Sequence, residues 1–197
     1  MKILTFVDLH GNKKALDKII SRGKKKDIDL LVCAGDFTIF EEAQDMIMTK
    51  LDKVGKPVLF VHGNHEDASE VRKSCKKTKN CKFIHKSAFR FENYLFLGWG
   101  GGGFSFRDRG FEKEVKRFRN MIKKDDMVVL VSHAPPFKTK IDDIFGEHAG
   151  NKSLRKFIEK VKPVLAVSGH LHECVGEDKI GKTKVINPGY KGKVVTL

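Results

Sequence analysis

Five short apolar runs in this chain each stop at residues of the kinds that bind metal ions. Ile3-Leu4-Thr5-Phe6-Val7 leads into Asp8-Leu9-His10, and Leu30-Leu31-Val32 leads into Gly35-Asp36. Val58-Leu59-Phe60-Val61 precedes Gly63-Asn64-His65-Glu66, Val128-Val129-Leu130-Val131 precedes Ser132-His133, and Val164-Leu165-Ala166-Val167 precedes Gly169-His170-Leu171-His172. Runs this short, rich in β-branched residues and bounded by turn residues, read as buried strands. Open α/β sheets gather their sites at strand ends along one edge. Five strand ends bearing Asp, Asn or His therefore imply one polynuclear metal centre. Taken singly, Asp36 could be a helix cap and His133 a turn residue before Pro135. Order, residue type and placement coincide at all five positions, which such readings do not explain. Of the eight histidines, His62 and His85 are read as ordinary surface or core residues.

The segments between the runs carry helical periodicity. Asn12 is suited to cap a helix with Ala15, Leu16, Ile19 and Ile20 on one face, ending near Gly23. A second helix is expected from about Glu41 to Val54, with Ala43, Met46, Ile47 and Leu51 inward, and a third over Ala68 to Lys77. This βαβαβα succession implies a parallel sheet. Phe83-Ile84, Ala88 to Phe91 and Tyr94 to Leu97 then read as short strands, the latter two turning at Glu92-Asn93. Helices at about Glu112–Ile122 and Lys152–Val161 lead into the last two ligand-bearing strands. Short strands over Glu173–Asp178, Thr183–Ile186 and Val194–Thr196 close the chain. This order fits an α/β fold in the form of a four-layer αββα sandwich: two mixed β-sheets face to face, helices outside both. No repeat, linker or low-complexity tract divides it, so residues 1–197 are expected to form a single domain.

The five blocks resemble the calcineurin-like metallophosphoesterase superfamily, in which D-x-H, G-D, G-N-H-[DE], a lone His after a strand and G-H-x-H follow in that order. Asn187-Pro188-Gly189 is similar to the family's closing turn, and the same four-layer sandwich is what the resemblance implies. It also implies two divalent metal ions, manganese first, with Fe, Ni, Co or Zn as alternatives. Asp8, His10 and His172 would hold one metal, and Asn64, His133 and His170 the other. Asp36 would bridge them. Two metals in such a site activate a bridging hydroxide for in-line attack on phosphorus. His65 would act as general acid toward the leaving alkoxide, with Glu66 orienting or polarising it. An Asn ligand suits a mixed oxygen and nitrogen site better than a structural zinc site. The chain departs from the pattern after Asp36: Phe37-Thr38-Ile39 stand where many relatives carry an acid, and these residues are expected to shape a pocket wall. Tyr190 stands where relatives often have Ser.

Composition limits the function classes. No apolar run approaches the ~20 residues of a membrane helix, and the N-terminus lacks the pattern of a secretory signal. A cytoplasmic location is expected. Cys33, Cys75, Cys81 and Cys174 show no metal or redox spacing. Cys33 reads as a core residue, and reduced thiols are expected throughout. The net charge of +14 combines 39 Lys plus Arg with 25 acids. Its lysines are spread over helix faces, so a solvated basic surface is favoured over a nucleic-acid groove. An exposed edge strand leaves a homodimer open.

The substrate is the thinnest part of the reading. Gly98-Trp99-Gly100-Gly101-Gly102-Gly103 has the wrong spacing for a dinucleotide fingerprint; it reads either as a loop over the metal site or as a plain linker. Arg107, with Phe104, Phe106 and Arg109, could clamp a phosphate, or could belong to the solvated surface. The stretch Ser132 to Pro136, with Gly146 to Asn151 and Leu154-Arg155, resembles the Icc-like predicted phosphoesterases. There His148 could line a substrate pocket, while Asn151 reads first as a helix cap. The expected activity is a metal-dependent phosphoesterase, above all a phosphodiesterase for small nucleotide-like esters. A phosphomonoesterase or protein phosphatase, or a non-catalytic metal-binding scaffold, remains the alternative.

Overall fold

Strand β1 (Lys2–Phe6) starts a sheet whose neighbours are set by the first three crossovers. The computed structural model describes residues 1–41 and 43–197. Helix α1 (Lys13–Gly23) begins where the Asn12 side chain accepts a hydrogen bond from the Ala15 amide at 3.0 Å, and it buries Ala15, Leu16 and Ile19. It leads to β2 (Leu30–Cys33). Helix α2 (Gln44–Asp52) leads to β3 (Val58–Phe60), and α3 (Ala68–Lys76), capped by Asp67, leads to β4 (Cys81–Phe83). β1 to β4 run parallel, and the C-terminal strand β13 (Lys193–Thr196) adds antiparallel to β1.

The second sheet starts with the antiparallel pair β5 (Ser87–Phe91) and β6 (Tyr94–Trp99). Helix α4 (Arg109–Met121) leads to β7 (Met127–Ser132). The hairpin β8 (Asp143–Ile144) and β9 (Glu147–His148) precedes α5 (Lys152–Val161) and β10 (Leu165–Val167). β11 (Gly176–Ile180) and β12 (Thr183–Asn187) close the sheet, in the order β11-β12-β10-β7-β6-β5.

Three apolar layers show how these elements stack. Leu4, Phe6, Leu31, Cys33 and Phe60 pack with Leu16, Ile19, Met48, Leu51 and Val71 from α1 to α3. The alternate residues of the same strands (Ile3, Leu30, Val32 and Leu59) meet Phe96, Val129, Val131, Val167 and Ile186 of the other sheet. The other face of that sheet (Leu95, Leu97, Leu130 and Val185) takes Phe111, Phe118, Leu154 and Phe157 from α4 and α5. Strands buried on both faces give apolar runs rather than alternation, and three cores between four layers make the sandwich the sequence implies.

Several boundaries differ from expectation. α2 begins at Gln44, after Ala43 in the left-handed region (φ 57°), and the inward face is Gln44, Ile47, Met48 and Leu51. Met46 points outward at 39% exposure. The expected start at Glu41 includes residue 42, which lies outside the described residues. Gln44 is buried because its amide donates to the Ser74 hydroxyl at 2.9 Å. A strand from Glu173 is replaced by a single 3₁₀ turn (His172–Cys174), and β11 starts at Gly176. The β8–β9 hairpin, two residues per strand, leaves no periodic signal. No helix among the described residues is long and apolar enough to cross a membrane.

Candidate metal centre

The C-terminal ends of β1, β2 and β3 in one sheet and of β7 and β10 in the other deliver their polar residues to one place. Asp8, His10 and His172 form one cluster able to hold a metal; Asp36, His133 and His170 form a second; His10, Asp36 and His65 form a third that joins them. Asp8 and His10 are not aimed by strand pleating, because β1 stops at Phe6. Left-handed backbone aims the side chains instead: φ is 53° at Asp8, 42° at His10, 48° at Asp36 and 70° at His170. Non-glycine residues there store about 1 kcal/mol or more each, and such strain gathers at functional sites. Backbone hydrogen bonds hold the turns, from the Asp8 amide to the Gly35 carbonyl (3.1 Å) and from the His10 amide to the Asp36 carbonyl (3.0 Å). Gly63 is required sterically, since a Cβ there would lie 1.8 Å from an Asp36 carboxylate oxygen.

The donor atoms converge. His133 Nδ1 lies 2.9 Å from the Ala34 carbonyl, which fixes its proton there and leaves the Nε2 lone pair facing Asn64 Oδ1 (3.0 Å) and Asp36 Oδ2 (3.4 Å). His10 Nε2 and His172 Nε2 face each other at 3.0 Å, and His172 Nε2 stands 3.9 Å from Asp8 Oδ1. His170 Nε2 is buried without a hydrogen-bond partner. Opposed imidazole nitrogens beside two carboxylates, with an orphaned buried lone pair, are what a metal site needs: the residues fit divalent ions. His65 Nε2 lies 4.0 Å from Asp36 Oδ2, on the side shared with His10.

Charge is arranged to match. Burial pushes Asp8 up to about 6. Burial also opposes the charge on Asp36, but contact with His133 outweighs it and holds Asp36 well below the usual carboxylate range. Burial likewise disfavours the His133 cation, yet Asp36 moves its pKa upward on balance. Burial lowers His170 to about 4 and also lowers His10. A metal entering this site competes with protons on Asp8 and His133.

Glu66 has a different task from the one expected. Its buried carboxylate accepts from the amides of Gly63 (2.8 Å), Asp36 (3.0 Å) and Thr38 (2.9 Å), and from the Thr38 hydroxyl (2.8 Å). It braces the Asp36 turn against the Asn64 turn and makes no hydrogen bond to the His65 ring. Thr38, at the departure from the family pattern, is thus a second brace. Phe37 is core rather than pocket wall, wholly buried against Phe60 at 5.2 Å.

The two residues expected to meet substrate lie outside the clusters. Arg107 pairs with Glu112 through Nε and Nη2, both at 2.9 Å, over the α4–α5 groove, because Glu112 lies one helical turn into α4 and within its reach. His148 Nδ1 is 3.1 Å from Asp142, which also accepts from the Lys138, Thr139 and Gly150 amides, so that His148 helps to close its own loop. Asn151 caps α5 through the Ser153 and Leu154 amides. Gly100 and Gly101 run against His62, and the segment ends with the Phe104 ring 4.5 Å from that of His170. His85 is buried behind it and His62 half-buried; burial lowers both, His85 to about 3. Asn187, which sequence reasoning does not single out, is fully buried and donates to the Leu171 carbonyl between His170 and His172 (2.9 Å). The Asn187-Pro188-Gly189 turn is its one signal in the sequence.

The calcineurin-like phosphoesterase family model matches residues 1–174, a span that includes every one of these clusters. The chain belongs to this family. As a calcineurin-like phosphoesterase it is a hydrolase of phosphoric esters, with a His and Asp cluster able to bind divalent metal. It is 35% identical to the uncharacterized protein MJ1162 of Methanocaldococcus jannaschii, over 99% of this chain and 91% of that one. Its fold is similar to that of TT1561 of Thermus thermophilus, with a TM-score of 0.78 at 16% identity over 96% of this chain and 90% of the other. It is also similar to a dimetal phosphatase from Danio rerio, with a TM-score of 0.65 at 13% identity, covering 94% and 86% of the two chains.

Proposed function

We propose that this calcineurin-like phosphoesterase is a dinuclear metal phosphodiesterase acting on small, nucleotide-like esters. The observation that carries the reading is that Asp36 stands with His133 and His170 in one donor cluster and with His10 and His65 in another, while His10 also stands with Asp8 and His172. Asp8, His10 and His172 would hold one ion, Asn64, His133 and His170 would hold the other, and Asp36 would serve both. Manganese is the first choice for an oxygen- and nitrogen-rich set of this kind. Two divalent ions there supply a water acidic enough to attack at neutral pH and offset charge on the phosphoryl oxygens. His65 holds the proton that the leaving alkoxide takes from Nε2. Glu66 and Thr38 keep the Asp36 turn in place, and Asn187 keeps His170 and His172 in register.

The choice of diester over monoester rests on charge. The cleft beside Asp8, His10, His172 and Tyr190, about 320 Å³, has no lysine or arginine among its lining residues. A monoanionic diester needs less compensation there than a dianionic monoester. Metal-stripped protein reconstituted separately with Mn, Ni, Co, Zn and Mg, assayed on bis-p-nitrophenyl phosphate and p-nitrophenyl phosphate, tests this reading. The expected result is metal-dependent turnover with the diester preferred, lost in His65→Ala while the metal is retained. A stoichiometrically loaded protein that cleaves neither ester would overturn it in favour of a binding scaffold.

A further inference from the structure

Exposed aromatic side chains are unusual enough on protein surfaces that their clustering carries information, whereas single ones do not. Here three come from three separate loops and surround one site. Phe40, in the β2–α2 loop, is 76% exposed, and its ring centroid lies 4.8 Å from that of His65 at an interplanar angle of 41°. Phe104, in the β6–α4 loop, is 66% exposed and stands edge-on to His170 at 4.5 Å. Tyr190, in the β12–β13 loop, is 43% exposed and lines the cleft with Asp8, His10 and His172. Each ring thus borders a different side of the donor clusters.

Phe40 is held outward rather than left there. Its backbone is left-handed (φ 46°), as is that of Glu41 (φ 66°). The Glu41 amide donates to the Thr38 hydroxyl at 3.2 Å, and Thr38 is itself tied to Glu66. The brace that fixes Asp36 therefore also fixes a solvent-facing ring beside His65. A core residue would be turned inward, as Phe37 is at the start of the same loop.

We propose that Phe40, Phe104 and Tyr190 form an aromatic rim around this centre, each offering a face on which a planar group can stack, making phosphate esters with an aromatic ring on their organic group its preferred ligands. The ring is a nucleobase or a simple aryl group, since either offers a face for stacking. This rests on the phosphodiesterase reading above and adds the residues that select the substrate.

Calorimetric titration of the manganese-loaded protein tests it, with AMP against ribose 5-phosphate and phenyl phosphate against methyl phosphate. Each ringed phosphate is expected to bind about tenfold tighter than its ringless partner. That ratio should fall to near one in the double variant Phe40→Ala/Phe104→Ala and persist in Phe40→Trp. A larger ratio for the AMP pair assigns a nucleobase, and equal ratios assign any aryl group. A wild-type ratio near one, or a ratio unchanged in the double variant, overturns the aromatic rim while leaving hydrolysis of bis-p-nitrophenyl phosphate, and with it the phosphodiesterase reading, intact. Failure of all four phosphates to bind, together with no turnover of either nitrophenyl ester, overturns both.

Discussion

The two halves of the metal centre are built differently. Around Asp36 and His133 the framework is buried: His133 is fully enclosed, its Nδ1 is committed to the Ala34 carbonyl, and Glu66 ties the Asp36 turn to Gly63, while Asn64 is exposed and His170 half-buried at its edge. Around His10 and His172 the site is open, and Asp8 is the one buried donor of the three. The His172 side chain is 54% exposed on a single 3₁₀ turn, and its ring nitrogen meets only that of His10 at hydrogen-bonding distance. One half is set by folding, so its donors stand ready before metal arrives. The other would be completed by the metal itself. On the two-metal reading, the enclosed half binds its ion tightly and the open half exchanges it, which keeps one position next to solvent and substrate.

The largest effect should come from the residue that belongs to both halves. Asp36→Asn is expected to lower diester turnover by more than about a hundredfold, beyond what loss of a supporting residue costs, and to weaken both metal equivalents in a metal-content measurement. Retention of one tight equivalent would show that Asp36 serves only one side.

A pair of substitutions then separates the halves. Glu66→Gln puts an NH₂ group where three amides and a hydroxyl donate, and metal-free protein should lose about 1–3 kcal/mol in chemical denaturation. His172→Gln should leave that stability unchanged and abolish only the weaker metal equivalent. Equal destabilisation by both changes would erase the distinction.

Asp8 sharpens the contrast through pH. Its carboxyl, pushed up to about 6 by burial against an ordinary 3.8, takes up a proton more readily folded than unfolded. Its charge therefore costs the metal-free fold stability above pH 6, and that cost is relieved as pH falls from 6 toward 4. Asp8→Asn should stabilise the metal-free protein by about 3 kcal/mol at pH 7, at roughly 1.4 kcal/mol per pKa unit, with the gain largely gone near pH 4. Equilibrium denaturation at the two pH values measures it. Buried charge kept for metal binding is a common conflict between stability and function.

The ligand series and both sheets are legible in the sequence because apolar runs ending in Asp, Asn or His report a strand and its exit together. The local means are not. Left-handed φ at Asp8, His10, Asp36 and His170 has no marker in residue type beyond a tolerance shared by Asp and His. Glu66 reads as a partner of His65 because they are adjacent, whereas its reach is backward to Thr38 and Asp36. Periodicity places Met46 inward, but the late start of α2 at Gln44 and the Gln44–Ser74 hydrogen bond rotate that face so that Met48 is buried. Phe104 reads as a clamp or solvated-surface residue and Phe40 carries no signal of its own, and only the loops that carry them set their rings beside His170 and His65. Arg107 stands out in the sequence for its charge, and Glu112 neutralises it.

Metal content and diester turnover, followed in the same sample during stepwise chelation of manganese-loaded protein, test the two-metal reading most directly. The prediction is two equivalents at the start, loss of the first at low chelator with turnover falling in parallel, and a second equivalent that resists until much higher chelator. Loading with a single equivalent, release of both together, or turnover that survives removal of the first would contradict it.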